Sequence, residues 1–167
     1  IITRHAAGYY TALDAGVQTV MATYNSWNDV EAGKNYGKVH GNRELLTDVL
    51  KGTLGFDGLL VSDWNGIEQV EGCTKSHCAQ AINAGLDIVM VPVDWRDFIA
   101  NTVADVNSGA IPMSRIDDAV TRILRVKMRA GLFNRPVAAS RLTGHAEALN
   151  ADDLDAGAPD GPQGQED

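Results

Sequence analysis

Basic residues are scarce in this sequence: 14 Lys and Arg stand against 22 Asp and Glu, for a formal net charge of −8. Binding to nucleic-acid phosphates needs a basic face, so the composition argues against a nucleic-acid partner. The acidic residues concentrate in residues 152–167, a stretch that contains no Lys or Arg. The rest of the chain is nearly neutral, and its net charge says little about other partners.

Several sequence signals are also missing. No apolar run approaches the roughly 20 residues that span a bilayer, so no membrane partner is expected. No Gly-rich loop followed by Lys-Ser or Lys-Thr is present, which argues against a P-loop nucleotide hydrolase. The chain opens with neither a start methionine nor the basic segment of a signal peptide, so we expect it to begin inside a longer protein.

Cysteine is limited to Cys73 and Cys78. A disulfide that closes this short loop is expected in an oxidising compartment. Two free thiols are an alternative, and a metal site that includes His77 is another. No second ligand pair stands at usable spacing, so no metal centre is predicted.

The body of the chain alternates between short apolar runs and amphipathic segments. Apolar runs without polar alternation, each followed by an amphipathic helix, are typical of a parallel sheet covered on both faces. The 25–41 segment is polar and contains glycine, and we interpret it as a long loop. The predicted strands are 17–24, 59–61 and 87–91, and the predicted helices are 8–15, 42–54, 75–84, 94–109 and 114–131.

Three such strand–helix units belong either to an open doubly wound sheet or to a barrel, and periodicity does not choose between them. From residue 137 the composition shifts to Ala, Gly, Asp and Pro without an apolar period. We therefore predict a domain over residues 1–136 and a low-complexity acidic tail over 137–167 that is disordered.

Asp63 is the first candidate for chemistry. It comes directly after the apolar run 59–61, and in parallel α/β folds the working residues lie at the carboxyl ends of strands. No helix begins at Asp63, which weakens the interpretation of this residue as a helix cap. The flat ring of the adjacent Trp64 would suit a sugar, whose C–H faces pack on aromatic rings.

Other interpretations of these residues stay open at this point. A strand that ends in Asp also occurs in phospho-acceptor signalling domains, although no matching acidic cluster follows another strand here. Tyr24 and Trp27 are more often packing residues than ligand contacts. His40 stands near the end of the predicted loop 25–41, where it could face the same site as Asp63. Asp87 opens a strand at its amino end, where a role in stability is expected.

A series of motifs resembles glycoside hydrolase family 3, in its β-glucosidase and exo-β-1,3(1,4)-glucanase branch. The similarity runs from about residue 5 to residue 136 and keeps the family's order. The matching segments are VMATYNSWN from Val20, LLTDVLK from Leu45, LGFDG from Leu54, VSDW from Val61, NAGLDIVM from Asn83, IPMSRIDDAV from Ile111 and RILRVK from Arg122.

The resemblance implies a fold and a site. It implies the last three βα units, strands six to eight, of a (β/α)₈ TIM-type barrel. It implies that Asp63 is the nucleophile of a retaining mechanism. Trp64 would line the subsite for the leaving sugar, Tyr24 would lie near the nucleophile, and Met21 would form part of the pocket wall.

The resemblance also implies what lies elsewhere. The family's acid/base is a Glu on a second α/β domain, which would be a partner supplied by the parent enzyme. The chain is then a fragment of an exo-acting β-glucoside hydrolase, expected to be inactive alone, with no cofactor and a parent that is periplasmic or secreted. The substrates would be β-linked glucosides or oligosaccharides. The alternative is a non-catalytic α/β fragment or a weak sugar-binding module.

Overall fold

The computed structural model describes residues 6–134. The predicted disordered tail, 137–167, lies outside these residues. The helices and strands are α1 (Ala7–Asp14), β1 (Thr19–Met21), β2 (Ser26–Asp29), β3 (Lys34–Lys38), a π-helix (Glu44–Thr53), β4 (Leu59–Val61), α2 (Ala79–Ala84), α3 (Trp95–Ser108) and α4 (Met113–Arg129), with 3₁₀ turns at Val39–Gly41, Gly66–Gln69 and Leu132–Asn134. The last turn belongs to a separate unit that begins at Gly131.

A parallel pair of strands lies at the centre of the first unit. β1 pairs with β4 in a register that sets Thr19 opposite Leu59 and Met21 opposite Val61. Leu59 and Leu60 are buried, as expected for a strand covered on both faces. β1 is shorter than the predicted 17–24 strand, and the α/β class is as expected.

The predicted third strand, 87–91, was wrong in extent: a single parallel bridge joins Val61 to Ile88. Two side chains replace ladder bonds on either side of it. The amide of Leu60 donates to the Asp87 carboxylate at 2.8 Å, and the amide of Met90 donates to Ser62 Oγ at 2.8 Å. Together with backbone bonds from Ile88 N to Leu60 O at 3.1 Å and from Ser62 N to Ile88 O at 2.9 Å, these contacts hold the segment beside β4 without a regular ladder.

The predicted long loop 25–41 was also wrong, because it contains an antiparallel hairpin of β2 and β3. The rings of Trp27 and Tyr36 stack with their centroids 4.5 Å apart, and Lys34 Nζ lies 4.2 Å from the Tyr36 centroid. Aromatic pairs across strands stabilise hairpins even where the sequence is otherwise polar. Because Trp27 and Tyr36 lie nine positions apart across a turn, no short-range sequence pattern indicates that their rings stack.

The segment predicted as helix 42–54 forms the π-helix. Asn42 Oδ1 accepts the amide of Leu45 at 3.0 Å, which satisfies a free amide at the start of the helix. Leu46 and Leu50, one turn apart, are buried against the core. Other members of the same buried cluster are Phe56, Leu60, Ile67, Ala81 and Leu86.

Asp87 is the centre of a buried ion cluster at the amino end of the strands. Its carboxylate is fully buried and accepts Lys51 Nζ at 2.8 and 2.9 Å, the Leu60 amide and the Arg115 guanidinium. Burial lowers the pKa of Lys51, and the Asp87 charge opposes this shift. A buried charge is tolerated only with such partners, so Asp87 joins the π-helix, β4 and α4.

Cys73 and Cys78 form a disulfide with a Cα–Cα distance of 4.9 Å. The turn between them is closed by backbone bonds from Thr74 N to His77 O at 3.0 Å and from His77 N to Thr74 O at 3.4 Å. Because this segment is occupied by the turn, α2 begins at Ala79 and not at the predicted residue 75. The disulfide fixes the chain immediately before that helix.

We expect Asp87→Asn to lower the free energy of unfolding by about 3–5 kcal/mol, since it removes the buried counter-charge of Lys51 and Arg115 and leaves them only the partly exposed Asp118. Urea unfolding measures the loss. Asp57→Asn is the matched control, because Asp57 pairs with Arg129 at the surface and should matter little. Equal losses in the two variants would contradict the assignment of the cluster.

We expect thiol titration of the unfolded, non-reduced protein to find no free thiol, and two after reduction. Replacing both Cys73 and Cys78 by Ser should cost about 2 kcal/mol, since the closed loop is short. Two reactive thiols in protein prepared under oxidising conditions would refute the disulfide.

Candidate active site

The backbone around Asp63 is held by buried hydrogen bonds at the carboxyl end of β4. Ser62 is fully buried, and its amide donates to Ile88 O at 2.9 Å. Its hydroxyl accepts the Met90 amide and donates to the Asp63 carbonyl at 2.9 Å. The apolar strand thus ends in a polar residue that fixes the next peptide.

A tight turn directly follows Asp63. The amide of Trp64 donates to Asp63 Oδ1 at 2.7 Å, and the amide of Gly66 donates to the Asp63 carbonyl at 3.0 Å. Asn65 adopts a left-handed conformation with φ of 52°, and its amide donates to Met90 O at 3.1 Å. The turn leaves Asp63 half-buried and Trp64 59% exposed.

Tyr24 approaches this turn from the end of β1. Its hydroxyl donates to the carbonyl of Trp64, and Lys38 Nζ donates to the Tyr24 carbonyl at 2.9 Å. Partial desolvation raises the pKa of Tyr24, and the hydrogen-bonding capacity and charge of Asp63 raise it further. The phenol therefore keeps its proton at neutral pH and acts as a hydrogen-bond donor beside the carboxylate.

His40 lies behind Asp63 and is fully buried. Its Nε2 accepts the amide of Asp63 at 2.9 Å, and its ring centroid is 6.0 Å from that of Tyr24. Burial lowers the pKa of His40, which outweighs the opposing charge of Asp63; Lys38 lowers it further. The imidazole is therefore neutral, as an acceptor at Nε2 must be.

The other predicted residues take no part in the hydrogen bonds around Asp63. Met21 is half exposed at the end of β1 and lines an apolar cleft of about 310 Å³ with Trp27 and Leu45. Cys73 and Cys78 close a turn seven residues beyond the Gly66 amide, outside the hydrogen bonds around Asp63. The structure thus brings together Asp63, Trp64 and Tyr24 of the predicted set.

Sequence reasoning gave no role to Ser62 or His40. His40 was noted for its place at a loop end, but its contact with the Asp63 amide joins residues 23 positions apart. A side chain that bonds a distant backbone amide leaves no periodic pattern. For Ser62, its place at the end of an apolar run was the one available signal.

Within residues 6–134 no three His, Cys, Asp or Glu side chains converge on a point where a metal ion could sit. The imidazole of His77, considered above as a ligand, instead bonds both carboxylate oxygens of Asp105 at 3.0 Å. In the same part of the chain, no helix has the length and apolarity needed to span a bilayer.

Comparison with known proteins finds a family match over most of the chain. The family model described as the glycosyl hydrolase family 3 N terminal domain matches residues 1–126. A lysosomal beta glucosidase of Dictyostelium discoideum is 36% identical over 130 residues, which cover 73% of this chain and 15% of that protein. A beta-glucosidase of Rhizobium radiobacter is 36% identical over 138 residues, covering 83% and 14%.

Solved structures agree in fold. An exo-1,3/1,4-beta-glucanase from a Pseudoalteromonas species has 49% identity and a TM-score of 0.75, over 86% of this chain and 18% of that one. A beta-glucosidase from Listeria innocua in complex with glucose has 26% identity and a TM-score of 0.65, over 84% and 19%. The chain therefore spans less than a fifth of each of these four proteins.

We expect Gly66→Ala to destabilise the protein by about 1–3 kcal/mol, because a Cβ there would lie 2.2 Å from His40 Nε2 and 2.5 Å from Cε1. The buried His40 ring or the turn would have to shift to make room. Thermal or urea unfolding measures the loss. Gly8→Ala is the control, since nothing lies within 4 Å of its added Cβ. Unchanged stability in Gly66→Ala would show that His40 does not pack there.

Proposed function

The chain belongs to glycosyl hydrolase family 3, and we propose that it carries the nucleophile, Asp63, of a retaining, exo-acting β-glucoside hydrolase. The observation that carries this proposal is the arrangement at the end of β4. A half-buried carboxylate on a fixed backbone lies beside an exposed indole and a protonated phenol. A carboxylate and a sugar-stacking ring are groups that glycoside cleavage needs on one side of the sugar.

In the proposed reaction, Asp63 attacks the anomeric carbon of the sugar. The bond from that carbon to the leaving oxygen breaks as an ester to Asp63 forms, and a carboxylic acid about 5–5.5 Å away protonates the leaving oxygen. Water then attacks the same anomeric carbon and gives up its proton to the acid/base residue, and the bond from that carbon to Asp63 breaks, which releases the sugar with its configuration retained. Asp63 returns as a free carboxylate, and no metal or organic cofactor takes part.

The contacts of Asp63 suit a nucleophile. Its Oδ1 accepts the Trp64 amide, which fixes the carboxyl orientation at the end of the strand. Tyr24, protonated and adjacent, donates its one proton to the Trp64 carbonyl and so holds the turn that carries the indole. The exposed face of Trp64 offers a stacking surface for the leaving sugar. Met21, in its apolar cleft, would contribute to the wall of a pocket completed by other segments.

We further propose that β1, β4 and the segment at Ile88 are strands six, seven and eight of a (β/α)₈ barrel. Their support is their order: they are parallel, sequential neighbours, separated by helical segments. The carboxyl ends of β1 and β4 carry Tyr24 and Asp63, at the face where such barrels place their active sites.

The acid/base and the rest of the barrel are proposed to come from other parts of a parent enzyme, with the acid/base on a second domain. Without these parts the chain alone would be nearly inactive, because the leaving oxygen would depart unprotonated. The proposed substrates are β-linked glucosides and oligosaccharides, supported by the names of the β-glucosidase and exo-1,3/1,4-beta-glucanase relatives. The disulfide supports a periplasmic or secreted parent.

In the complete enzyme, we expect Asp63→Asn to lower kcat/KM for an aryl β-glucoside by several powers of ten, because an amide cannot form the ester. Steady-state kinetics measures the loss, and thermal unfolding confirms that the variant is folded. Asp57→Asn, at an exposed ion pair, is the control and should retain activity. Near-normal turnover by Asp63→Asn would refute the assignment.

A further inference from the structure

Buried side chains form hydrogen bonds with both the amide and the carbonyl of Asp63. Ser62 Oγ donates to the Asp63 carbonyl at 2.9 Å. His40 Nε2 accepts the Asp63 amide at 2.9 Å. Both side chains are fully buried, so neither contact is exchanged with solvent. His40 is therefore the acceptor that fixes the amino side of this residue.

The contact with the Asp63 amide restricts the protonation state of His40. An amide N–H needs a lone pair, so Nε2 must be without a proton, and the neutral ring then carries its proton on Nδ1. Among residues 6–134, Nδ1 has no hydrogen-bond partner. The ring is thus oriented by its Nε2 contact and by packing against Gly66, where even a methyl group would collide with Nε2.

We propose that His40 is a positioning residue for the nucleophile: a neutral, Nε2-deprotonated imidazole that holds the Asp63 backbone in its reactive place. This inference rests on the proposed role of Asp63. His40 does not touch the sugar in this arrangement; it acts through the Asp63 amide. The carboxylate branches from the Cα next to that amide, so a backbone shift there moves the attacking oxygens.

The expected effect on chemistry is large because attack on the anomeric carbon depends on geometry. A displacement of about 1 Å costs on the order of 100-fold in rate. Loss of the acceptor at residue 40 should therefore slow formation of the glycosyl-enzyme and leave initial binding of the sugar nearly unchanged. A purely structural role for His40 would predict lower stability without this separation between rate and binding.

Two substitutions of His40 in the complete enzyme test the proposal. His40→Gln keeps an acceptor near the position of Nε2, whereas His40→Leu removes it at similar bulk. The probe is 2-deoxy-2-fluoro-β-D-glucosyl fluoride: fluoride leaves as the ester to the nucleophile forms, and the 2-fluoro group slows hydrolysis of that ester. The inactivation rate at saturation reports ester formation, its half-saturation concentration reports binding, and peptide mapping locates the label.

We expect the label on Asp63, a rate near wild type for His40→Gln and a loss of about 100-fold for His40→Leu, with similar half-saturation concentrations. A wild-type inactivation rate in His40→Leu, or equal losses of rate in folded His40→Gln and His40→Leu, would overturn the inference. In either case a label on Asp63 would still support the proposed function. A label on another residue would overturn both.

A second measurement covers the case in which His40→Leu does not fold. Nitrogen-15 NMR of the wild-type enzyme, labelled at histidine, identifies which ring nitrogen of His40 carries the proton. His40→Gln assigns the signal by its loss. We expect an unprotonated Nε2 and a protonated Nδ1 at neutral pH. A proton on Nε2 would overturn the inference, since that nitrogen could not accept the Asp63 amide.

Discussion

The buried carboxylate of Asp87 is the constraint on which the rest of the described structure depends. A charge with no solvent exposure needs partners within the protein. Asp87 forms ion pairs with Lys51 and Arg115 and accepts a hydrogen bond from the amide of Leu60. These partners come from the π-helix, α4 and β4, so one residue determines how three elements meet. The position of β4 is thereby fixed at its amino end, and Ser62 and Asp63 follow β4 at the other end.

The two ends of β4 have different roles: the amino end contributes to stability, and the carboxyl end carries the residues of the proposed reaction. At the amino end the charges are paired and buried. At the carboxyl end Asp63 is half-buried, and the Trp64 ring is exposed. Ser62 and His40 supply rigidity there through bonds to the backbone, so the carboxylate need not be buried in an ion pair. A nucleophile held through its main chain keeps its side chain accessible to a sugar.

Much of the site and part of the fold followed from short-range patterns. The apolar run before Asp63 predicted a strand end, and the strand proved to be Leu59–Val61. The amphipathic segment 42–54 predicted a helix, and one forms over Glu44–Thr53, although with π geometry. The hairpin was missed because its Trp27–Tyr36 stack lies across a turn. The third strand was overestimated, because its apolar residues carried no sign that Asp87 and Ser62 would replace ladder bonds.

The sequence by itself determined the α/β class, the place of Asp63 after a buried strand and the presence of Tyr24 and Trp64 among the candidates. Burial of apolar residues has a local period, and such information can be read along the chain. Only the tertiary structure decided that His40 accepts the Asp63 amide and that Asp87 pairs with Lys51 and Arg115. These contacts join residues 23 to 36 positions apart. Their partners are chosen by distance and by the need to satisfy buried polar groups, which no local pattern records.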